Sequence, residues 1–406
     1  MKILLLAPHP FFQQRGTPIA ERLLLEVLTA EGNEVDVLTF PEGEDPAIPG
    51  ARIERIQAPA WTRGIRPGFS FRKLVCDAIM TVEVLRRVRR GRYDVVHAVE
   101  EGIFMAVLCK WLFGVPCVYD MDSGLARQMA DRYRFLAPVR FLLDAAERLA
   151  VRASTGTLAG CRALEVQARA WNPEGLIAPL EDVSFAGSSP GGAEDLIPEP
   201  WRGDPIVLYV GNLAPYQGID LLLQGFALAQ PEVPRARLVI MTGAGERVGH
   251  YRKLAESLGV AGSVHFAGPR PIEALGACLR QGTVLVSPRV HGDNTPMKIF
   301  SCLDSGRPLL ATRLPTHTQV LDDDVALLVE PEPGAMGRGI AQLLKDDILR
   351  ERLAANARQL AQRDFTIDAF RRKLLTFYDA VEGRIGHDGN HHGQTAGIEA
   401  RHPGRG

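Results

Sequence analysis

Lysine is scarce in this chain of 406 residues: 7 of its 47 basic residues, the other 40 being arginine. Excess charge of either sign is missing too, since Asp and Glu number 48 and the formal net charge is −1. A protein held on nucleic acid by neutralising phosphates is normally clearly basic, so no nucleic-acid partner is expected. Cysteine is sparse, and the six residues at 76, 109, 117, 161, 278 and 302 form no Cys-x-x-Cys pair. That spacing excludes a zinc ribbon and a thioredoxin-type motif and reads as a reduced, cytoplasmic chain. Long apolar runs are absent: the longest, 103–119, is cut by Lys110 and by Gly114-Val115-Pro116, short of the ~20 residues of a membrane span. The apolar start at 3–7 is too short for a secretory signal and meets Pro8-His9-Pro10 at once. No Gly-x4-Gly-Lys-Ser/Thr occurs, which removes the P-loop nucleotidases.

What is present is alternation. A continuous apolar run at 2–7 suits a buried parallel strand, and Ile19, Leu23, Leu24, Val27 and Leu28 then share one helical face up to Gly32. Strands follow at 35–39, 94–98, 117–120 and 155–158, with helices at about 102–113 and 138–151. The pattern breaks in a Ser-, Gly- and Pro-rich stretch at 184–204 and restarts with strands at 206–210, 238–242, 263–266, 283–287 and 309–312. Helices at about 218–228, 247–258, from 296, 335–345, 348–362 and 367–382 intervene or follow. The expected fold is α/β: two doubly wound, Rossmann-like parallel-sheet domains facing a central cleft. The expected division is 1–185, a linker at 186–204, a second domain at 205–362, a helix at 363–382 returning to the first domain, and a disordered tail at 383–406.

The most informative segment is Ser287-Pro288-Arg289-Val290-His291-Gly292-Asp293-Asn294-Thr295-Pro296-Met297-Lys298-Ile299-Phe300-Ser301, leaving a strand and entering a helix. Thr295 or Asn294 suits an N-cap and Pro296 the first helical position, where its missing N–H costs nothing. Free N–H groups and the macrodipole favour an anion there, and Lys298 and Ser301 project from the same face as Thr295. Asp120-Met121-Asp122 spells the Asp-x-Asp of metal-dependent sugar transferases, and two carboxylates at i, i+2 leave open a metal or acceptor-base role. His291 has the best claim of the histidines because of its loop; His9 and His97 read as structural.

Several of these segments together resemble a known family. Tyr209 to Leu222 (Tyr-Val-Gly-Asn-Leu-Ala-Pro-Tyr-Gln-Gly-Ile-Asp-Leu-Leu) is similar to the strand-turn-helix of family-4 glycosyltransferases of GT-B fold. The likeness continues through Thr242-Gly243-Ala244-Gly245, Val264 to Gly268, the Ser287 segment and Ser305 to Thr312, with Gly16-Thr17 matching the glycine loop after the first strand. The resemblance implies a retaining transferase with a nucleotide-sugar on its C-terminal half and a glycan or lipid-linked acceptor on its N-terminal half. It implies no cofactor and no metal, because cationic side chains and helix termini stabilise the leaving diphosphate. Transferred by position, Asp293 and Asn294 contact the sugar, Lys298 and the 295–298 terminus the phosphates, Ser301 the ribose, and Gly16-Thr17 the phosphate or acceptor. Four positions depart from the family. Its phosphate-binding Arg and Lys fall on Asn212 and Gln217, its second carboxylate on Ser301, and its N-terminal histidine on Asp122. Lys298, Arg289, Arg270 and the helix terminus at 295 are the candidates to replace the lost cations. A catalytically degenerate scaffold and a sugar-nucleotide epimerase are the alternatives.

The stretch 52–92 carries eleven basic residues against three acidic ones, with Trp61, Phe69 and Phe71 interleaved. Such a surface suits an anionic membrane, peripherally at its inner face, or a lipid phosphate; a solvated arginine face is the plainer reading.

Overall fold

A computed structural model describes residues 1–12, 16–65, 70–126, 129, 133, 138–188, 195–242, 245–292 and 294–395. Gln13 to Arg15, Gly243 and Asp293 lie outside the described residues. The chain divides into two units, Met1–Glu181 with Arg371–Gly406, and Asp182–Phe370.

The first unit is built on seven parallel strands: β1 (Lys2–Ala7), β2 (Glu34–Thr39), β3 (Ala51–Arg55), β4 (Val95–Val99), β5 (Cys117–Met121), β6 (Gly156–Ala159) and β7 (Ile177–Pro179). Their order is β3-β2-β1-β4-β5-β6-β7. Residues 3–7 are wholly buried, which is why β1 reads as an unbroken apolar run. Around the sheet lie α1 (Gly16–Ala30), α2 (Phe71–Arg90), α3 (Gly102–Phe113), α4 (Arg140–Ala153) and α5 (Arg162–Trp171).

The second unit has six parallel strands: β8 (Ile206–Val210), β9 (Arg237–Met241), β10 (Val264–Ala267), β11 (Val284–Ser287), β12 (Leu309–Thr312) and β13 (Leu327–Val329). Their order is β10-β9-β8-β11-β12-β13. The helices used below are α6 (Ile219–Ala229) and α7 (Lys298–Asp304), and the chain closes with α8 (Ile367–Thr395). In each unit the order reverses beside the first strand, between β1 and β4 and between β8 and β11. Open α/β sheets bind ligands outside the carboxyl ends of strands at such reversals.

Three stretches gain detail. Ser184, just ahead of the expected linker, packs within the second unit, its N–H donating to Phe365 O at 2.8 Å and its Oγ to Asp304 Oδ2 at 2.7 Å, and Leu196 of the linker is buried. Of the expected tail at 383–406, residues 383–395 continue α8, and no proline lies among them to stop the helix. Within 52–92 lie β3 and the twenty-residue α2, and two of its arginines turn inward. Arg55 donates to Phe40 O at 3.1 Å and Phe11 O at 2.6 Å, and Arg87 pairs with Glu54 and Glu83 at 2.6 and 2.9 Å.

Candidate functional site

At the end of β8 the backbone passes close to a lysine. Gly211 has φ 148, and a Cβ there would lie 2.8 Å from the Tyr209 hydroxyl and 3.3 Å from Lys298 Nζ. Asn212 stabilises the turn: its Oδ1 accepts Ala214 N–H at 3.0 Å and its carbonyl accepts the Tyr209 hydroxyl at 2.7 Å. One 3-10 turn (Pro215–Gln217) then leads through left-handed Gly218 (φ 72) into α6. Any Cβ at 218 would collide with Pro288 O, so glycine lets this turn lie against the loop after β11. Val290 N–H completes the junction by donating to Tyr216 O at 2.9 Å.

Arg289 stands on that loop. Its Nη1 donates to Asn294 O and Thr316 Oγ1, both at 2.8 Å, and its guanidinium lies 5.0 Å from the Tyr216 ring centre. It therefore holds the Asn294 carbonyl beside Thr316 while adding fixed positive charge. Helix α7 begins at Lys298, two residues later than expected, with no side-chain cap. A turn in which Ile299 N–H donates to Pro296 O (2.9 Å) precedes it, so Thr295 does not act as N-cap. The Thr295 hydroxyl and Gln217 Oε1 are instead buried without hydrogen-bond partners.

Lys298 is the most unusual group. Its ammonium is buried, has no hydrogen-bond partner, and sits 4.1 Å from the Tyr209 ring centre. Burial, with Arg289 adding to it, lowers its pKa from 10.5 to about 7. Ser301 differs from expectation: it is 1 % exposed, and its Oγ accepts Phe185 N–H at 3.0 Å. Asn294 and His291 are exposed, and Pro296 is half-buried. Arg270 lies after the edge strand β10, separated from β11 by β9 and β8, and its Nη1 donates to Pro269 O at 3.2 Å. His317 was not singled out in the sequence. It is held between Ser287 Oγ (2.9 Å) and Thr312 O (2.8 Å), and burial lowers its pKa to about 4, so it ties β11 to β12 as a neutral imidazole.

The first unit gathers a second polar set at the carboxyl ends of β1, β4 and β5. His9 Nε2 meets Glu21 Oε1 at 2.7 Å, and Glu21 Oε2 is buried with no partner. Burial alone would lower the His9 pKa; the Glu21 carboxylate outweighs it and holds the imidazole above its ordinary value. Lys73 of α2 donates to Pro8 O at 2.8 Å and pairs with Glu101. Glu100 has φ 49, the one positive φ off glycine among the described residues, and both its oxygens lie 2.9 Å from the Ser123 hydroxyl. Asp120 Oδ2 lies 3.3 Å from His97 Nε2, and His97 Nδ1 lies 2.8 Å from the Tyr378 hydroxyl of α8. Asp122 follows β5, half-buried, and Gly16 and Thr17 open α1. Among the described residues no three His, Cys, Asp or Glu are grouped to hold a metal.

Comparison with known proteins matches residues 197–360 to "Glycosyl transferases group 1" and 19–178 to the "Glycosyl transferase 4-like domain". The D-inositol 3-phosphate glycosyltransferase of Corynebacterium diphtheriae is 31 % identical over 180 residues, 43 % of this chain and 42 % of the relative. The match thus spans less than half of that protein's length. The phosphatidyl-myo-inositol mannosyltransferase of Mycobacterium leprae is 23 % identical over 390 residues, 94 % of this chain and 97 % of the relative. The sucrose-phosphate synthase of Thermosynechococcus elongatus shares the fold, with TM-score 0.74 and 20 % identity over 94 % of this chain and 99 % of that one. With glycosyltransferase models matching both halves and both sheets shared with that structure, the chain belongs to the group 1 glycosyltransferases of GT-B fold.

Proposed function

We propose that the chain transfers a sugar, with retention, from a nucleotide-diphosphate donor to a hydroxyl of a glycan or lipid-linked acceptor. The carrying observation is the Lys298 ammonium, buried with no partner where the family holds diphosphate but where its usual cations are replaced by Asn212 and Gln217. An unpaired buried cation is costly unless a ligand completes it. A diphosphate oxygen does so, and the Thr295 hydroxyl is a second donor for it. In the reaction the bond from the sugar's anomeric carbon to the diphosphate breaks and one to the acceptor oxygen forms. The acceptor proton leaves with the nucleoside diphosphate. Lys298 and Arg289 stabilise the negative charge that develops on the leaving group, the kind of preorganised term that usually dominates catalysis. Asp293 and Asn294 would meet the sugar, and Asp122 the acceptor. Work at the inner face of a membrane, through the arginines left exposed in 52–92, belongs to the same reading.

The test begins with thermal stabilisation of the full chain by a panel of nucleotide-sugars, since a ligand at 100 times its Kd adds about 2.7 kcal/mol. Turnover of the stabilising donor then follows in Lys298→Ala. A loss of at least tenfold is expected, because one hydrogen bond to a charged group is worth about 1.5–3 kcal/mol. Wild-type kinetics in the variant would remove Lys298 from the site, and binding without turnover by the native chain would favour a scaffold.

A further inference from the structure

We propose that the polar set of the first unit selects an acceptor that donates hydrogen bonds and carries no negative charge, a polyol or amino sugar, and rejects a phosphorylated one. This rests on the transferase reading and names the acceptor class within it. Four carboxylates (Glu21, Glu100, Glu101 and Asp120) stand at the carboxyl ends of β1, β4 and β5 or on the α1 face beside them. The protonatable side chains described there are already used. His9 is paired with Glu21, His97 lies between Asp120 and the Tyr378 hydroxyl, and Lys73 meets Glu101 and the Pro8 carbonyl. Among the described residues of this set, no cation is left over for a phosphate.

Unspent capacity lies on the acceptor side of the hydrogen bond. Glu21 is 2 % exposed, yet its Oε2 has no donor. Glu21 interacts electrostatically with His9, Asp120 and His97, so its carboxyl belongs to the set. A buried carboxylate oxygen without a donor is completed by a ligand hydroxyl or ammonium. Glu100 has the Ser123 hydroxyl as its side-chain partner and keeps further lone pairs, on a backbone held at φ 49. Burial already raises the pKa of Glu21 and Glu100, so a phosphate brought here would add negative charge where it is penalised, with no described cation of this set free to offset it.

Three hexoses that differ in charge test this by equilibrium binding to the full chain: glucosamine below pH 7, methyl α-glucoside, and glucose 6-phosphate. Uridine diphosphate is titrated separately. Glucosamine and the glucoside are expected to bind at least tenfold tighter than glucose 6-phosphate. Glu100→Gln should shrink the advantage of glucosamine over the glucoside at least threefold while leaving the uridine diphosphate affinity unchanged. Tightest binding of glucose 6-phosphate, or no difference among the three, overturns the inference even where the variant fails to fold. The donor reading fails separately: it falls if neither the nucleotide nor any nucleotide-sugar binds, whatever the order of the hexoses.

Discussion

Lys298 carries two roles with opposite demands on its charge. In the free chain burial holds its pKa near 7, whereas the unfolded side chain titrates near 10.4. Between those values the unfolded chain binds a proton that the folded chain does not, so this residue makes stability rise with pH across that window and penalises the fold below it. Lys298→Met should flatten the rise in melting temperature between pH 7 and 9; an unchanged slope would contradict the assignment. A bound diphosphate favours the ammonium, so donor binding at pH 8 should take up close to one proton. Calorimetry in buffers of different ionisation enthalpy reads that uptake directly, and its persistence in Lys298→Met would assign it elsewhere. The sequence picks out this lysine by its scarcity and its loop. It is silent on the Tyr209 ring beneath it and on the depressed pKa, which come from packing between β8 and α7. Glu100 was equally hidden, since nothing in Val-Glu-Glu-Gly signals a carboxylate on a left-handed backbone.

At the scale of single elements, α7 shows where position on a helix misleads. Spacing puts Ser301 on the face of Lys298, and a glutamate there is expected to fold normally and merely weaken activity. The structure buries Ser301 and gives its hydroxyl to Phe185 N–H. Ser301→Glu should therefore lower the melting temperature by several degrees, since a charge enters the core and a backbone donor loses its partner, at about 1–3 kcal/mol for the donor alone. A variant as stable as the native chain would show that the helix face turns outward. Strands were the readable elements, because β1, β8 and Val284–Val286 of β11 spell buried apolar runs and β4 departs from one only at His97. Helix α2 was not recognised because its arginines mask a narrow buried stripe of Cys76, Met80, Val84 and Val88.

For the molecule as a whole, charge and apolar surface meet in the first unit. Trp61 and Phe71 stack with ring centres 6.2 Å apart, and Phe71 is 71 % exposed. Helices α3 and α4 are in contact and expose Trp111, Leu112, Phe141 and Leu142. No described helix is long and apolar enough to cross a membrane. Co-sedimentation with anionic vesicles should weaken between low and physiological salt, because exposed charges are screened within about 8–10 Å. It should weaken further in Phe71→Ser. Equal pelleting with neutral vesicles, or none, would leave this surface without that role.

The contact between Tyr378 and His97 spans 281 positions and has a consequence for biosynthesis. A ribosome makes β1 through β7 first, then the whole second unit, and only afterwards the helix whose Tyr378 and Phe377 seat against His97 and Gly156. Until that helix emerges, a buried imidazole in the middle of the first sheet lacks its hydroxyl partner and the apolar floor beside it lies open. The first unit is thus begun before the second and completed after it.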